Sequence, residues 1–312
     1  MAERLPSVSA VIPTFGRRDL LPGVIEPLLA EPATSEVVVV VDGSFDGSYP
    51  WLLERAEGDG RLRPFWIENR GENGAREAGV RAARGDVVLL LDDDVRAAAG
   101  LAEGHARHHA GSAGLVVLGY MPPLLPRERL PGDFTTRLYA REYEAVCRSY
   151  ETSPDQILMS LWAGNMSLRR EDAVAVMLGT KAPALPYHAD RELGLRCLES
   201  GLRGAFDRSL RAEHLHTRSL DGFVADARSQ GAGRVMLHRL HGDILGPFDP
   251  GPPAPVRAML RRTPAARATA AALRSATRCA GRARAFRLEE LLARVLRRVE
   301  QQRGALAAGG FS

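Results

Sequence analysis

Over the first 120 residues the hydrophobic and polar positions switch repeatedly between strand-like runs and helix-like faces. Ser9–Pro13 (SAVIP) is an apolar run of strand length. Asp19–Ala30 then places Leu20, Leu21, Val24, Ile25, Leu28 and Leu29 on one broad face, as an amphipathic helix does. Five consecutive valines, Val37–Val41, suit a strand covered on both faces. Tyr49–Ala56 follows as a helix and Leu62–Glu68 as a third strand. Asn73–Arg84 is a helix whose Ala75, Ala78, Gly79 and Ala82 make a face of small residues, and Asp86–Leu91 is another buried strand. Strands alternating with helices predict an α/β fold around a parallel sheet.

The pattern loosens beyond this point. Pro122–Pro131 is rich in Pro and Arg and reads as a loop. Phe134–Tyr150 is a helix, Trp162–Leu168 a strand and Arg170–Leu178 a helix. Asp190–Ser200 is a helix closed by Gly201, a residue suited to the left-handed position after a helix. Phe206–His214 is a strand running into a loop. From Pro252 the composition turns to Ala and Arg, with helices expected at Ala265–Arg284 and Arg287–Gln302.

Charge sharpens that boundary. Residues 251–312 hold thirteen arginines, no lysine and three glutamates, a net +10, so with +4 overall the first 250 residues carry −6. A basic extension on an acidic body points to an anionic partner. That partner could be a membrane surface or another protein, or the arginines could simply solvate a helical pair. Nucleic acid is not expected, because Phe286 is the only aromatic residue of the extension before Phe311. No window of 18 apolar residues exists and no basic, then apolar, leader opens the chain. Cys147, Cys197 and Cys279 are odd in number and widely spaced, which argues against a disulfide framework or a zinc site. The expectation is a cytoplasmic protein, peripheral at the inner face of the membrane if the extension docks there.

Five segments carry candidate chemistry. Asp92-Asp93-Asp94 follows directly on the apolar run Val87–Leu91. Ligands of open parallel sheets bind at the carboxyl ends of strands, and three adjacent carboxylates need a cation or full solvation. Hard oxygen donors suit Mg²⁺ or Mn²⁺, although a solvated acidic turn has the same sequence. In Asp42–Ser48 (DGSFDGS), Asp42 also ends a buried strand and can accept hydrogen bonds from a base or ribose; an ordinary turn is the alternative. Arg76, in Asn73–Gly79, either points toward a diphosphate or is a surface arginine. Asp190 starts a helix, where a carboxylate is a natural N-cap, or acts as a general base. His214 and His216 fall on one face of an extended segment, and either can ligate a metal as neutral imidazole.

The order of these pieces resembles the family-2 glycosyltransferases of the GT-A fold. The matching residues are Ser9–Arg17 (SAVIPTFGR), Val38–Ser48 (VVVVDGSFDGS), Asn73–Gly79, Arg84–Val95 entered from Ala83 (ARGDVVLLLDDDV), Gly164–Arg170 (GNMSLRR), Asp190–Gly201 and His214, spanning about residues 7–220. The resemblance implies a nucleotide-sugar-binding domain with a mostly parallel mixed central sheet flanked by helices. Residues 1–250 would be catalytic, with 1–120 the nucleotide-binding half and 121–250 the acceptor-binding half. Residues 251–312 would be a basic helical extension.

The resemblance also implies roles. Pro13, Thr14 and Asp42 would line the nucleotide pocket, and Arg76 would lie near the diphosphate. Asp92 and Asp94 would be the outer positions of the DxD motif around Asp93, with Asp92 nearer the ribose or a metal-bound water. Asp94 would ligate Mn²⁺ or Mg²⁺, with His214, or less favourably His216, completing the site. Asp190 would be the base in an inverting transfer from a nucleoside-diphosphate sugar to an acceptor that the sequence does not identify. Two positions depart from the family pattern: Val41 precedes Asp42 where a second acidic residue is frequent, and Glu77 replaces a frequent Asn. A nucleotidyltransferase is the rival enzyme class, but no Gly-rich loop with Lys follows the first strand. A dehydrogenase would need GxGxxG there. A non-catalytic nucleotide-sugar-binding relative is the rival outside enzymes.

Overall fold

A computed structural model of the chain describes residues 4–179, 183–246 and 263–309. Contacts divide the chain into two compact units, one of residues 1–124, 143–182 and 193–215, the other of 125–142, 183–192 and 216–312. The boundary at residue 250 expected from composition lies outside the described residues.

The first unit is built on an eight-stranded mixed sheet. Its strands are β1 (Val8–Thr14), β2 (Thr34–Asp42), β3 (Leu62–Ile67), β4 (Val87–Leu91), β5 (Val95–Ala97), β6 (Leu115–Tyr120), β7 (Asn165–Arg169) and β8 (Arg203–His214), in spatial order β3-β2-β1-β4-β7-β6-β8-β5. β1 to β4 run parallel. β7 is antiparallel to both β4 and β6, β6 is parallel to β8, and β5 is antiparallel to β8. The expected mostly parallel, mixed sheet is therefore present. β1 and β4 are buried at every residue, whereas the edge strand β3 is fully buried only at Leu62.

Helices α1 (Leu21–Leu29), α2 (Ser48–Glu57) and α3 (Gly71–Ala82) make the crossovers that parallel pairing requires. α1 starts two residues later than the apolar pattern predicts. Pro22 lacks an N–H and fits only the first turn. α3 approaches the sheet through its small residues: a Cβ at Gly79 would stand 2.3 Å from Val11 Cγ1. At the opposite end of the strands Arg84-Gly85-Asp86 is a structural staple. Asp86 accepts the Ser7 backbone N–H at 2.9 Å and its hydroxyl at 2.8 Å. A Cβ at Gly85 would stand 2.9 Å from the Ser9 backbone nitrogen.

The apolar pattern did not disclose β5, α4 (Leu101–His109) or β6. β5 has three residues, too few for a period, and α4 turns His105 and His109 inward, which breaks its apolar face. Among the described residues the remaining α-helices are α5 (Phe134–Thr152), α6 (Arg170–Leu178), α7 (Ala189–Glu199), α8 (Leu220–Leu240), α9 (Gly242–Leu245), α10 (Thr263–Arg282) and α11 (Phe286–Ala307).

In the second unit α8 and α11 cross at glycines. A Cβ at Gly231 would stand 1.8 Å from the Gln301 carbonyl oxygen, and one at Gly304 1.9 Å from that of Arg228. Gly231, with Gly222 and Gly233, weakens the helical signal of α8, which is why the pattern passes over it. Val224, Ala270 and Leu296 form a small core there. Among the described residues no helix is long and apolar enough to cross a membrane.

Candidate active site

The strand order reverses between β1 and β4: β2 and β3 lie to one side of β1 and the later strands lie beyond β4. In an open α/β sheet the crevice beyond the carboxyl ends at such a reversal takes ligands. Thr14 ends β1 there, and Asp92-Asp93-Asp94 follows the end of β4. The acidic triplet forms the turn into β5, closed by the Val95 N–H donating to the Asp92 carbonyl at 3.0 Å.

Each carboxylate of the triplet meets a cation or an imidazole. Asp92 Oδ1 accepts from Arg76 Nη2 at 2.9 Å. Arg76 is 1% exposed and also pairs with Glu72 one turn earlier. The surface-arginine alternative is thus overturned: α3 buries the guanidinium stem and aims its head at the triplet. Asp93 Oδ1 accepts from Arg17 Nη1 at 2.9 Å, and the same nitrogen pairs with Asp94. Burial pushes the Asp93 carboxyl up to about 6 against the pull of Arg17. Burial acts on Asp94 in the same sense, but His214 and Arg17 outweigh it and hold that carboxyl well below the ordinary range.

His214 Nε2 lies 3.3 Å from Asp94 Oδ1. Strand pairing delivers it: Val95 is opposite His214 in the β5–β8 ladder. The Leu215 N–H also donates to the Asp94 carbonyl at 2.7 Å. Neighbouring donors around an octahedral ion with bonds of about 2.1 Å are about 3 Å apart, so this carboxylate and imidazole fit one divalent ion as adjacent ligands. Among the described residues no three His, Cys, Asp or Glu side chains converge as a ready cage.

The nucleotide-pocket candidates flank this crevice. Pro13 and Thr14 pair with Val40 and Val41 at the ends of β1 and β2. Asp42 is 4% exposed, and its Oδ1 accepts the Arg70 N–H at 2.7 Å. Gly43 has φ +78°, and a Cβ there would stand 2.7 Å from the Asn69 nitrogen. The Asp-Gly pair thus serves the local turn as well as any ligand.

The strand expected to carry both histidines ends at the first of them. β8 ends at His214, and His216, in the second unit, stacks on Tyr139 with ring centroids 4.3 Å apart. Asp190, also in the second unit, sits in the first turn of α7 rather than at its N-cap, because the helix begins at Ala189. The preceding residue, His188, has φ +70°.

Sequence reasoning assigned no role to several residues of the first unit. Arg17 was present in the matched PTFGR segment, but nothing in a linear pattern pairs it with Asp93 and Asp94. Gly164, ahead of β7, leaves room for Asp92: a Cβ there would stand 2.5 Å from Asp92 Oδ2. Behind the sheet, His105 bridges Ser167 Oγ at 2.8 Å and Asn165 Oδ1 at 3.0 Å, and His109 reaches the same hydroxyl at 2.9 Å. Burial pushes these imidazoles down to about 3 and about 4. They are neutral, and they brace α4 against β7.

Residues 9–125 match the family described as Glycosyl transferase family 2. The chain is 42% identical over 94 residues to the succinoglycan biosynthesis protein ExoO of Rhizobium meliloti, covering 30% of this chain and 26% of that protein. It is 31% identical over 93 residues to the GalNAc(5)-diNAcBac-PP-undecaprenol beta-1,3-glucosyltransferase of Campylobacter jejuni, covering 29% and 30%. The matched stretches thus span about a third or less of these curated relatives. Among solved structures, the mannosyltransferase PcManGT of Pyrobaculum calidifontis, in complex with GDP-Man and Mn²⁺, superposes with a TM-score of 0.62 at 18% identity, covering 97% of this chain and 87% of that one. That likeness extends the fold over nearly the whole length. Residues 9–125 thus resemble the family-2 glycosyltransferases, and the fold is shared with that mannosyltransferase over nearly the whole chain.

Proposed function

We propose that the protein is a metal-dependent glycosyltransferase that moves a sugar from a nucleoside-diphosphate sugar to an acceptor nucleophile with inversion. The observation that carries this reading is the Asp94–His214 pair, 3.3 Å apart at the point where the strand order reverses. The family match over residues 9–125 and the fold shared with a GDP-Man- and Mn²⁺-bound mannosyltransferase support it. On this reading residues 1–250 are catalytic, with 1–120 binding nucleotide and 121–250 binding acceptor, and 251–312 form a basic extension in peripheral contact with an anionic membrane.

A Mn²⁺ or Mg²⁺ ion held by Asp94 and His214 would supply Lewis-acid stabilisation to the departing diphosphate. Arg76, positive and buried, adds fixed charge beside the same phosphates. Pro13 and Thr14 shape the nucleotide pocket, Asp42 accepts from the base or ribose, Asp92 faces the ribose, and Asp93 keeps Arg17 in place. As the bond from the anomeric carbon to the diphosphate oxygen breaks, the acceptor oxygen forms its bond on the opposite face. Its proton passes to the Asp190 carboxylate. The matched stretch ends at residue 125, so the relatives' acceptors do not transfer to this chain.

Arg17 supports a second reading. Its guanidinium already sets one positive charge against both Asp93 and Asp94, and donor binding would then need no metal.

Binding and slow hydrolysis of a panel of nucleoside-diphosphate sugars, with Mn²⁺, with Mg²⁺ and with EDTA, test both. Metal-dependent binding of one donor is the expected result. Equal binding in EDTA selects the second reading, and binding of no donor under any condition overturns both.

A further inference from the structure

The three glutamates of the C-terminal extension all turn inward or into ion pairs. Glu289 is 3% exposed and accepts the Gly132 N–H at 2.8 Å. Glu300 is 2% exposed and pairs with Arg303 at 2.6 Å. Glu290 is engaged by both Arg141 and Arg294. The outer face of α11 is consequently basic and apolar. Leu288, Leu291 and Val295, spaced three and four residues apart, are 49%, 58% and 42% exposed. Arg287, Arg294 and Arg298 are exposed along the border of that stripe.

Resting on the peripheral membrane contact of the proposed function and giving it a surface, we propose that this face of α11 docks on an anionic bilayer, with the Leu288–Leu291–Val295 stripe entering the headgroup boundary and the bordering arginines reaching lipid phosphates. An apolar stripe edged by cationic side chains is the form of an interfacial helix. Arginine stems can lie along apolar surface while the head stays polar. Charge complementarity favours this occupant over a second copy of the chain. A symmetric contact through the same stripe sets Arg287, Arg294 and Arg298 of each copy near those of the other.

The test is co-sedimentation of the full chain with vesicles of phosphatidylcholine alone or with added phosphatidylglycerol. Two triple variants accompany it, one with Leu288, Leu291 and Val295 changed to Ser and one with Arg287, Arg294 and Arg298 changed to Gln. Binding to the anionic vesicles is expected. The glutamine variant should lose on the order of a hundredfold in partitioning, at about fivefold per arginine. The serine variant should lose about tenfold or more. Because either triple variant could perturb the helix, Leu291→Trp serves as a gentler reporter, and its emission should shift to the blue with anionic vesicles. The proposal is overturned by an unshifted Leu291→Trp spectrum, by the absence of binding to anionic vesicles, or by loss in the glutamine variant alone. A sedimenting dimer that the serine variant dissolves also overturns it, in favour of a second copy.

Discussion

Asp94 and His214 meet because Val95 is paired with His214 across an antiparallel ladder of three residues. The carboxylate and the imidazole are therefore placed by strand register and not by a flexible loop. This makes the pair the most direct target for testing the proposed ion site. Asp94→Ala should weaken Mn²⁺-dependent donor binding by at least tenfold, since loss of even an outer partner of a metal ligand costs about 10–100-fold. His214→Ala should act in the same direction. Calorimetric titration with nucleoside diphosphate plus Mn²⁺ measures it, and an unchanged affinity in Asp94→Ala would remove Asp94 from the ligand set.

Asp190 is predicted to act on the acceptor alone. Asp190→Asn should slow transfer by about 10²–10⁴-fold, the contribution of a general base, while donor affinity stays within about twofold. A variant retaining a tenth of the wild-type rate would show that another group takes the proton.

Arg76 links fold to site. Its buried guanidinium holds Asp92 at 2.9 Å, and Arg76→Gln leaves that carboxylate without its charged partner. The expected cost is about 2 kcal/mol of stability. A double-mutant cycle with Asp92→Asn should return a coupling of roughly 0.5–3 kcal/mol. Strict additivity in denaturant melts would mean that the contact contributes nothing.

Gly164 offers a test that separates site from stability. A Cβ would press on Asp92 Oδ2 at 2.5 Å and on Met121 Sδ at 2.9 Å, both ends of side chains that can shift. Gly164→Ala should therefore lower donor affinity more than it lowers Tm. The reverse ranking would place the strain in the core.

Acid should act through Glu36. Burial raises its carboxyl, but the Ser9 hydroxyl and the Arg84 N–H, each at 2.6 Å, together with Arg63 outweigh burial and hold it below its ordinary 4.5. A carboxyl lowered in the folded state contributes its full stabilisation above the unfolded value. That contribution is lost as pH falls through the folded one. Glu36→Gln should thus be less stable at pH 7 and show a flatter loss of stability below about pH 4.5. Parallel acid limbs in the two proteins would contradict this assignment.

These residues also mark where sequence ran short. The parallel half was legible because β1, β2 and β4 are buried on both faces and so read as unbroken apolar runs, and because Gly79 and its small neighbours announce a helix lying close on a sheet. Asp92–Asp94 was legible as chemistry because it follows such a run directly. The Arg17 bridge was not, since a salt bridge between the ends of separate strands leaves no period in the chain. Nor was the end of β8 at His214, beyond which alternation no longer says where His216 points. α4 was hidden by inward-facing His105 and His109, whose polarity is satisfied by Ser167 and Asn165.

The β5–β8 ladder has a consequence for how such a chain tolerates change. Its three residue pairs work as a clasp that closes a long excursion of the chain, so loops inside that excursion can lengthen or shorten without separating Asp94 from His214. A single residue removed from β8 just ahead of His214 is different. It would turn the imidazole to the opposite face of the strand and open the clasp with hardly any loss of buried surface.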